Sequence, residues 1–481
     1  MNTNFRQYNI FFFTCILAFF SGCNDELEIN PEDNLTGDVV FSSEFAIRGA
    51  VTGLYGQALE GDALNGNRYA YTGIQSDELS FVGSFPTLIN VFNYDTQAVN
   101  GSTAALWSEG YEIINNANFI ITKIPDINIQ DFTEEEKGQA IAEAKFMRAM
   151  MYFELSRIYG QPFQFDNGNS LGVPISTIPF DDTATPDQFN IARSSLNEVH
   201  GFIKNDLEDA IQGLAESSDN TRASKGAAQA LLARLHLYRE EWNEAADLAN
   251  EVINSGEYAL AQDYTFYKSL SNENIFVLAN NSNNNATNTG NGASLINFAN
   301  PTPLPGRGDM YYSDFLVSSF ESGDIAASNS EGRDLRLVQA SRVGNNAIEE
   351  ERIFQDKVAP SGLNPLPVIR IAEMYLIRAE ANLRGGTSIG DTPVNDINRI
   401  KERAGLETIA TITLDDILEE RLKEFAVEGH RRMDLLRNRR ALRQPGDAQF
   451  TVSQFGADKT IFPIPAAQVN ITPLLEQNTG Y

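Results

Sequence analysis

The sequence predicts an all-α fold of paired helices, interrupted by two long inserts that are rich in loops. Apolar residues recur every three to four positions over most of the chain, which places them on one face of a helix. This periodicity is lost at residues 61–101 and 271–312, where Gly, Asn, Ser and aromatic residues dominate. We therefore expect a helical scaffold that carries two irregular surface inserts.

The helical spacing also predicts where the helices begin and end. They are Phe45–Leu59, Ala104–Lys123, Glu134–Tyr159, Arg193–Leu214, Ser224–Arg239, Trp242–Ile253, Ile371–Leu383, Val394–Ala404 and Leu414–Arg437. Glu134–Tyr159 has the clearest bounds, because Thr133 can cap its first turn and Gly160 and Pro162 follow its last. One strand is expected at Asn274–Leu278, and the Asn-rich tract after it is either disordered or a functional surface loop.

Small residues placed between large ones predict close helix hairpins. Seven alanines between Ala227 and Ala249 recur at spacings of three and four, beside Leu231 and Leu235, with a short turn at Glu240-Glu241. This pattern is typical of tetratricopeptide helix hairpins. Residues 371–404 form a second such unit, and Trp107 and Trp242 lie at core spacing and are expected to be structural.

The charge balance argues against several classes of partner. The 481 residues include 36 Lys and Arg but 65 Asp and Glu, so the formal net charge is −29. A chain this acidic repels phosphate backbones and anionic lipid headgroups. For the same reason we expect a neutral ligand rather than a strongly anionic one.

The N-terminus predicts a bacterial lipoprotein. Ile10–Phe20 is apolar but shorter than a membrane span needs, as in the core of a signal peptide. Ser21 and Gly22 precede Cys23, which suits cleavage by a lipoprotein signal peptidase and acylation of Cys23. We expect a signal peptide at residues 1–22, an acidic tether at residues 23–36 and one domain over residues 37–481.

Motifs for metal or nucleophilic chemistry are weak. His200, His236 and His430 are far apart in sequence, so we expect no metal site and read each as a solvated or structural helix residue. The stretch Gly386–Gly390 fits the G-x-S-x-G pattern, but a predicted helix precedes it where a nucleophile elbow needs a strand. No cofactor is expected.

Paired acids in predicted loops leave two further options open. Asp77-Glu78 and Asp181-Asp182 would serve a glycoside hydrolase, although solvated loop acids are the simpler interpretation. Asp181-Asp182 and Asp324 would also suit an adventitious Ca²⁺.

Aromatic residues in the two inserts are the better candidates for ligand binding. A ring on a loop offers a flat apolar face to a sugar or a peptide side chain. The candidates are Tyr69, Tyr71, Phe81, Phe85, Tyr311 and Tyr312. The alternative is that half or more of the insert aromatics fix the inserts onto the helical core.

Short blocks distributed over nearly the whole chain resemble a known family. They are residues 143–149 (EAKFMRA), 152–155 (YFEL), 159–160 (YG), 172–174 (GVP), 193–196 (RSSL), 227–233 (AAQALLA), 370–373 (RIAE), 378–381 (RAEA), 420–421 (ER), 424–425 (EF), 428–431 (EGHR), 462–465 (FPIP), 477–478 (QN) and 480–481 (GY). In this order and spacing they resemble the SusD/RagB family of surface nutrient-binding lipoproteins of Bacteroidetes. Gln468 and Thr479 depart from the family's usual Glu and Pro.

The resemblance implies a fold, a partner and a function. The fold would have about four tetratricopeptide-like helix pairs with ligand-binding inserts. The partner would be a SusC-like TonB-dependent transporter in the outer membrane, over which the lipid-anchored protein forms a lid. The function would be capture and delivery of glycan without catalysis, and capture of oligopeptides is the alternative within the family. No ligand-binding residue is carried over by motif.

The sequence also bears on the charged residues at 421–431 and on a rival class of protein, the pure tetratricopeptide scaffold. The charged residues Arg421, Glu424, Glu428 and Arg431 fall three to four apart and are expected to pair along one helix face. A pure tetratricopeptide scaffold without a small ligand would have short turns throughout, which the two aromatic inserts contradict.

Overall fold

The computed structural model describes residues 41–481, with the exception of 61, 63, 65, 181–184, 218, 280–297, 304–305, 321–332 and 359–364. Cys23, Asp181, Asp182 and Asp324 lie outside the described residues, so the predictions about them stay predictions. Within the described ranges, every helix is too short or too polar to cross a membrane.

The helices occupy most of the described chain. They are α1 Glu44–Glu60, α2 Gly66–Gln75, α3 Pro86–Phe92, α4 Gly101–Lys123, α5 Glu134–Tyr159, α6 Pro186–Phe189, α7 Leu196–Gly213, α8 Lys225–Tyr238, α9 Trp242–Asn254, α10 Asp314–Ser319, α11 Leu335–Gln339, α12 Ile371–Gly385, α13 Pro393–Arg403, α14 Leu414–Glu424, α15 Arg431–Arg437 and α16 Ala466–Ile471. Short 3-10 turns lie at Ile124–Asp126, Phe163–Phe165, Tyr264–Lys268 and Asp458–Thr460.

The strands form three short antiparallel pairs. They are β1 Leu79–Phe81, β2 Asn274–Leu278, β3 Met310–Tyr312, β4 Ser341–Asn345, β5 Glu351–Gln355 and β6 Leu366–Arg370. β1 pairs with β3, β2 with β6, and β4 with β5 as a hairpin. The predicted strand at Asn274–Leu278 is confirmed with the same bounds.

The predicted all-α scaffold of paired helices is confirmed. Helices α4, α5, α7, α8, α9, α12 and α13 pack in succession, each against the next. The alanines between Ala227 and Ala249 are fully buried in the α8–α9 hairpin, which is the close packing that the small residues predict. Thr133 forms a capping box with Glu136, whose carboxylate accepts from the Thr133 backbone N–H at 2.8 Å.

Two sequence predictions of local structure are wrong. The first insert is expected from the sequence to be a long loop with possible short strands; it contains the short strand β1, but helices α2 and α3 also lie within residues 61–101. Gly66 and Gly73 give α2 a low helix propensity. The helix forms because almost all of it is buried, and this tertiary packing offsets the low propensity. The expected helix Leu414–Arg437 is broken into α14 and α15, since Val427 and Gly429 have positive φ angles of 63° and 77°.

A buried ion network lies where the break in that helix meets β2 and β6. The guanidinium of Arg370, at the end of β6, binds Glu428 at 2.9 Å, Glu273 at 2.9 Å and Glu424 at 2.8 Å. Arg403 of α13 binds Glu273 at 2.9 Å and Glu424 at 2.6 Å. Burial by itself would raise the pKa of Glu424, but Arg403 and Arg370 hold this pKa well below its usual value. The network therefore joins β2, β6, α13 and α14 through ionised side chains.

The expected pairing along one helix face is wrong. Arg421 binds Asp434 at 2.8 Å, on the other side of the helix break, and Arg431 binds Asp77 at 2.7 Å. Glu424 and Glu428 bind Arg370 instead of their neighbours in sequence. These charges are buried and join distant parts of the chain rather than forming a solvated helix face.

Replacement of Arg370 by Met should destabilise the protein by about 3–5 kcal/mol, because three buried carboxylates then lose a shared cation. Urea unfolding followed by circular dichroism measures the change. The control is Arg48→Met, whose ion pair with Glu44 has a half-exposed Arg side chain and should contribute at most about 1 kcal/mol. Equal losses in the two variants would contradict a special role for the buried network.

Candidate ligand-binding face

Pairing of β1 with β3 brings the two predicted inserts together. Leu79 lies opposite Tyr312 and Phe81 opposite Met310, and the Val82 N–H donates to the Asp309 carbonyl at 2.8 Å. We call residues 79–85, 298–300 and 306–312 the insert junction. The sequence indicates each insert separately, whereas their contact is a feature of the structure.

Phe85 is the exposed aromatic residue at the insert junction. Its side chain is 40% exposed, and it precedes Pro86, which begins α3. The Phe298 ring lies nearly perpendicular to the Phe85 ring at a centroid distance of 5.4 Å, and the Arg307 guanidinium lies 4.5 Å from the Phe85 centroid. Asp309 fixes Arg307 through a 2.7 Å ion pair to Nε. The Phe85 ring thus contacts an aromatic ring and a cation, and part of its surface remains open to solvent.

Two glycines allow the loops of the insert junction to approach closely. A Cβ atom on Gly83 would lie 2.6 Å from the Phe81 ring, and one on Gly308 would lie 2.8 Å from the Asn346 backbone. Gly308 also has φ of 66°, a left-handed conformation that favours glycine. A larger residue at Gly83 would crowd Phe81 and Asp309, and one at Gly308 would crowd the turn of the β4–β5 hairpin at Asn346.

The β4–β5 hairpin supports the second insert from the side. The amide oxygen of buried Asn300 accepts from Arg342 of β4 at 3.0 Å and from Gln355 of β5 at 3.1 Å. The Thr302 N–H donates to the Asn345 carbonyl at 3.0 Å. These bonds fix the backbone that presents Phe298 and Arg307.

Phe85 differs from the other five candidate aromatic residues in the exposure of its side chain. Tyr69, Tyr71, Phe81, Tyr311 and Tyr312 are between 1% and 9% exposed. In this structure those five rings are not open for stacking on a ligand, and the alternative that insert aromatics pack onto the core describes them better. Their part in ligand binding stays a prediction, as does that of Phe85.

Contacts of the buried rings show what they support. The Tyr69 hydroxyl donates to the Pro367 carbonyl at 2.9 Å, and Tyr312 stacks on Phe320 at 6.4 Å. Tyr311 packs against Phe354 at 6.2 Å, beneath the guanidinium of Arg352. Tyr311 and Tyr312 thus attach β3 to β5 and to the end of α10, and Tyr69 attaches α2 to β6.

Sequence reasoning missed the two arginines of this face. Arg307 and Arg352 each lie over an aromatic ring of a predicted candidate, Phe85 and Tyr311. A lone arginine in a loop has no periodicity or spacing that identifies it. Arg307 lies two residues before Asp309, and this spacing alone does not predict that Arg307 covers the Phe85 ring.

Asp77 and Glu78, two of the acids proposed for a hydrolase, are buried, not solvated. Asp77 is held by Arg431 at 2.7 and 2.8 Å and by Gln444 at 2.6 Å. Glu78 is 1% exposed and accepts from the Val427 N–H at 2.7 Å. Burial raises the pKa of Glu78 to about 7, although the Val427 hydrogen bond opposes this. The expectation that these two acids are solvated is wrong, and both serve the packing of β1 against the α14–α15 break.

The remaining motifs have structural roles. All three histidines are buried, and burial lowers the pKa of His200 to about 3. In the part of the chain that the structure describes, no three or more His, Cys, Asp or Glu side chains are grouped to hold a metal ion. Gly386 ends α12 with φ of 67°, so a helix precedes Ser388 and the G-x-S-x-G match is not a nucleophile elbow.

Comparison with known families and proteins agrees with this architecture. A family model described as "SusD family" matches residues 359–481, and one described as "Starch-binding associating with outer membrane" matches residues 27–237. A SusD-like protein of Bacteroides ovatus is 24% identical over 460 residues, covering 85% of this chain and 78% of its own. The starch-binding protein SusD of Bacteroides thetaiotaomicron is 35% identical over 123 residues, which are 24% of this chain and 21% of that protein.

Solved structures show the same fold. A putative sugar binding protein from Bacteroides vulgatus superposes with a TM-score of 0.76 at 26% identity, covering 91% of this chain and 98% of that one. A SusD superfamily protein from Bacteroides thetaiotaomicron gives a TM-score of 0.75 at 25% identity, covering 92% and 100%. The chain belongs to the SusD/RagB family, and its helical scaffold is the tetratricopeptide-like one of that family.

Replacement of Glu78 by Gln should make stability less dependent on pH. The folded-state pKa of about 7 exceeds the ordinary glutamate pKa of 4.5, so the unfolded chain releases this proton first and wild-type stability falls as pH rises between these two values. Gln keeps an oxygen acceptor for Val427 but cannot ionise. Relative to wild type, the variant should gain stability by up to about 3 kcal/mol on going from pH 4.5 to pH 8. Chemical unfolding at several pH values measures this, and parallel curves for both proteins would contradict it.

Proposed function

We propose that this protein is a lipid-anchored glycan-binding component of an outer-membrane importer. Its insert junction captures oligosaccharides, and a SusC-like TonB-dependent transporter receives them. Family membership supports the outer-membrane association, and the starch-binding and sugar-binding relatives support a glycan ligand.

The half-exposed ring of Phe85 is the observation that carries this proposal. The apolar face of a sugar ring stacks well on an aromatic side chain, and the polar edge of the sugar stays hydrated. Phe298 and Arg307 fix the orientation of Phe85 before a ligand arrives, so little side-chain entropy is lost on binding. One such ring contributes about 1 kcal/mol, which suits a weak binder that must release its cargo.

The same face supports capture without catalysis. A glycosidase needs two carboxyl groups about 5–9.5 Å apart across the scissile bond. Asp309 is the one carboxylate within the described residues of the insert junction, and its side chain is 2% exposed and paired with Arg307. Asp77 and Glu78 are occupied by Arg431 and Val427, so neither is available to a bound glycan.

Replacement of Phe85 by Ala should weaken retention in native affinity gels that contain starch, xylan or a mixed-linkage β-glucan. Loss of about 1 kcal/mol corresponds to roughly fivefold weaker binding. The matched control is Phe165→Ala, which removes a phenylalanine of similar exposure, 47%, outside the insert junction. Both variants should melt within a few degrees of wild type.

Two results would contradict the glycan proposal. One is equal retention of wild type and Phe85→Ala on each polysaccharide that the wild type binds. The other is release of new reducing ends from these polysaccharides by the purified protein, provided that Asp77→Asn abolishes the activity. Retention of peptides but of no polysaccharide would favour the oligopeptide alternative.

Replacement of Cys23 by Ala should release the protein from membranes, because acyl chains on Cys23 supply the anchor in this proposal. Fractionation of cells without detergent, followed by immunoblotting, measures the change. A Cys15→Ala variant is the control, since Cys15 lies within the predicted signal peptide. If Cys23→Ala stays in the membrane fraction, the lipid anchor is wrong.

A further inference from the structure

An apolar groove lies between α1 and α4, away from the insert junction. It has a volume of about 570 Å³, and Phe41, Phe45, Phe119 and Ile120 supply most of its apolar wall. Phe45 is 88% exposed, although it is a large aromatic residue on an ordered helix. Exposed apolar surface of this kind marks a site that another segment or molecule covers.

Small residues of α1 keep the groove open. Ala46, Gly49, Ala50 and Gly53 line it on the α1 side. A Cβ atom on Gly49 or Gly53 would meet nothing within 4 Å, so no packing inside the described body requires glycine there. Glycine inside a helix costs up to about 1 kcal/mol relative to alanine. Glycine at these two positions leaves room for close approach of a further chain segment.

The path of the chain identifies the segment. The described chain begins at residue 41, and Phe41 itself lines the groove. The residues immediately before it therefore start at one end of the groove. The residues that precede Phe41 can therefore reach the rest of the groove without a long connecting segment.

The sequence of this segment also suits an apolar groove. The family model matches from residue 27, so residues 27–40 belong to the part of the chain that is shared with the family. Leu27 and Ile29 alternate with acids, and Leu35, Val39 and Val40 follow. In an extended chain, this alternation would place Leu27 and Ile29 on one side and the acids on the other.

We propose that residues 24–40 pack into the α1–α4 groove as a strap, rather than acting as a free tether. The docking does not depend on the proposed glycan binding. If Cys23 is acylated, the strap also shortens the link between lipid and body. A free chain from residue 23 to residue 41 would span up to about 60 Å, whereas a docked one places the anchor beside the groove.

Limited proteolysis tests the strap in the full mature chain, made soluble by Cys23→Ser. Glu-specific protease cleaves at Glu26, Glu28 and Glu32, and mass spectrometry measures the rate against a synthetic peptide of residues 24–40. We expect the chain to be cut at least tenfold more slowly than the peptide.

Gly53→Leu should fill the groove and raise cleavage to nearly the peptide rate. Gly56→Leu is the matched control, since Gly56 lies on the same helix with nothing within 4 Å of its Cβ position but does not line the groove. Leu27→Asp combined with Ile29→Asp should release the strap with α1 unchanged. Circular dichroism confirms that each variant is folded.

Three results would overturn the proposal. Cleavage of the unaltered chain at the peptide rate shows that residues 24–40 are not docked. Equal protection in Gly53→Leu and Gly56→Leu, together with continued protection in the double Asp variant, shows that the segment packs elsewhere. A change in sedimentation with protein concentration, lost in Gly53→Leu, would instead assign the groove to a second copy of the chain.

Discussion

Arg370 and the carboxylates around it are the interaction on which the arrangement of the fold depends. Burial of a single charge is costly, but Glu273, Glu424 and Glu428 surround the Arg370 guanidinium, and Arg403 and Lys357 balance them. Tyr264 and Tyr267 donate hydroxyl hydrogen bonds to Glu424 and Glu428 at 2.8 and 2.7 Å. Such a network tolerates little displacement, because each group satisfies several others.

The candidate binding face is attached to this network through a short series of contacts. Glu428 is next to Val427, whose N–H donates to the carboxylate of Glu78. The Glu78 carbonyl accepts from the Ser313 N–H at 3.0 Å, beside β3. The positions of β1 and β3, and so of Phe85 and Arg307, therefore depend on the break between α14 and α15. This explains why Asp77 and Glu78 are buried, since both hold β1 against the break between α14 and α15.

Local signals in the sequence were sufficient where neighbouring residues decide the structure. The capping box at Thr133, the alanines of α8 and α9, and the strand at Asn274–Leu278 follow from propensity and spacing alone. Helix α2 could not be predicted in this way, because burial of Tyr69 and Ile74 against distant residues offsets its poor propensity. The spacing of Arg421 and Arg431 predicts that they pair along one helix face, but their partners Asp434 and Asp77 lie across the helix break and 354 residues away in sequence, respectively. Aromatic composition located the two inserts, but only tertiary contacts separate exposed Phe85 from buried Tyr312.

The most direct test of glycan capture at the insert junction is a crystal structure of the mature protein with an oligosaccharide that it retains. We expect the apolar face of a sugar ring within about 4 Å of the Phe85 ring, with the sugar chain intact. An oligosaccharide bound on another face, with Phe85 still open to solvent, would contradict the account.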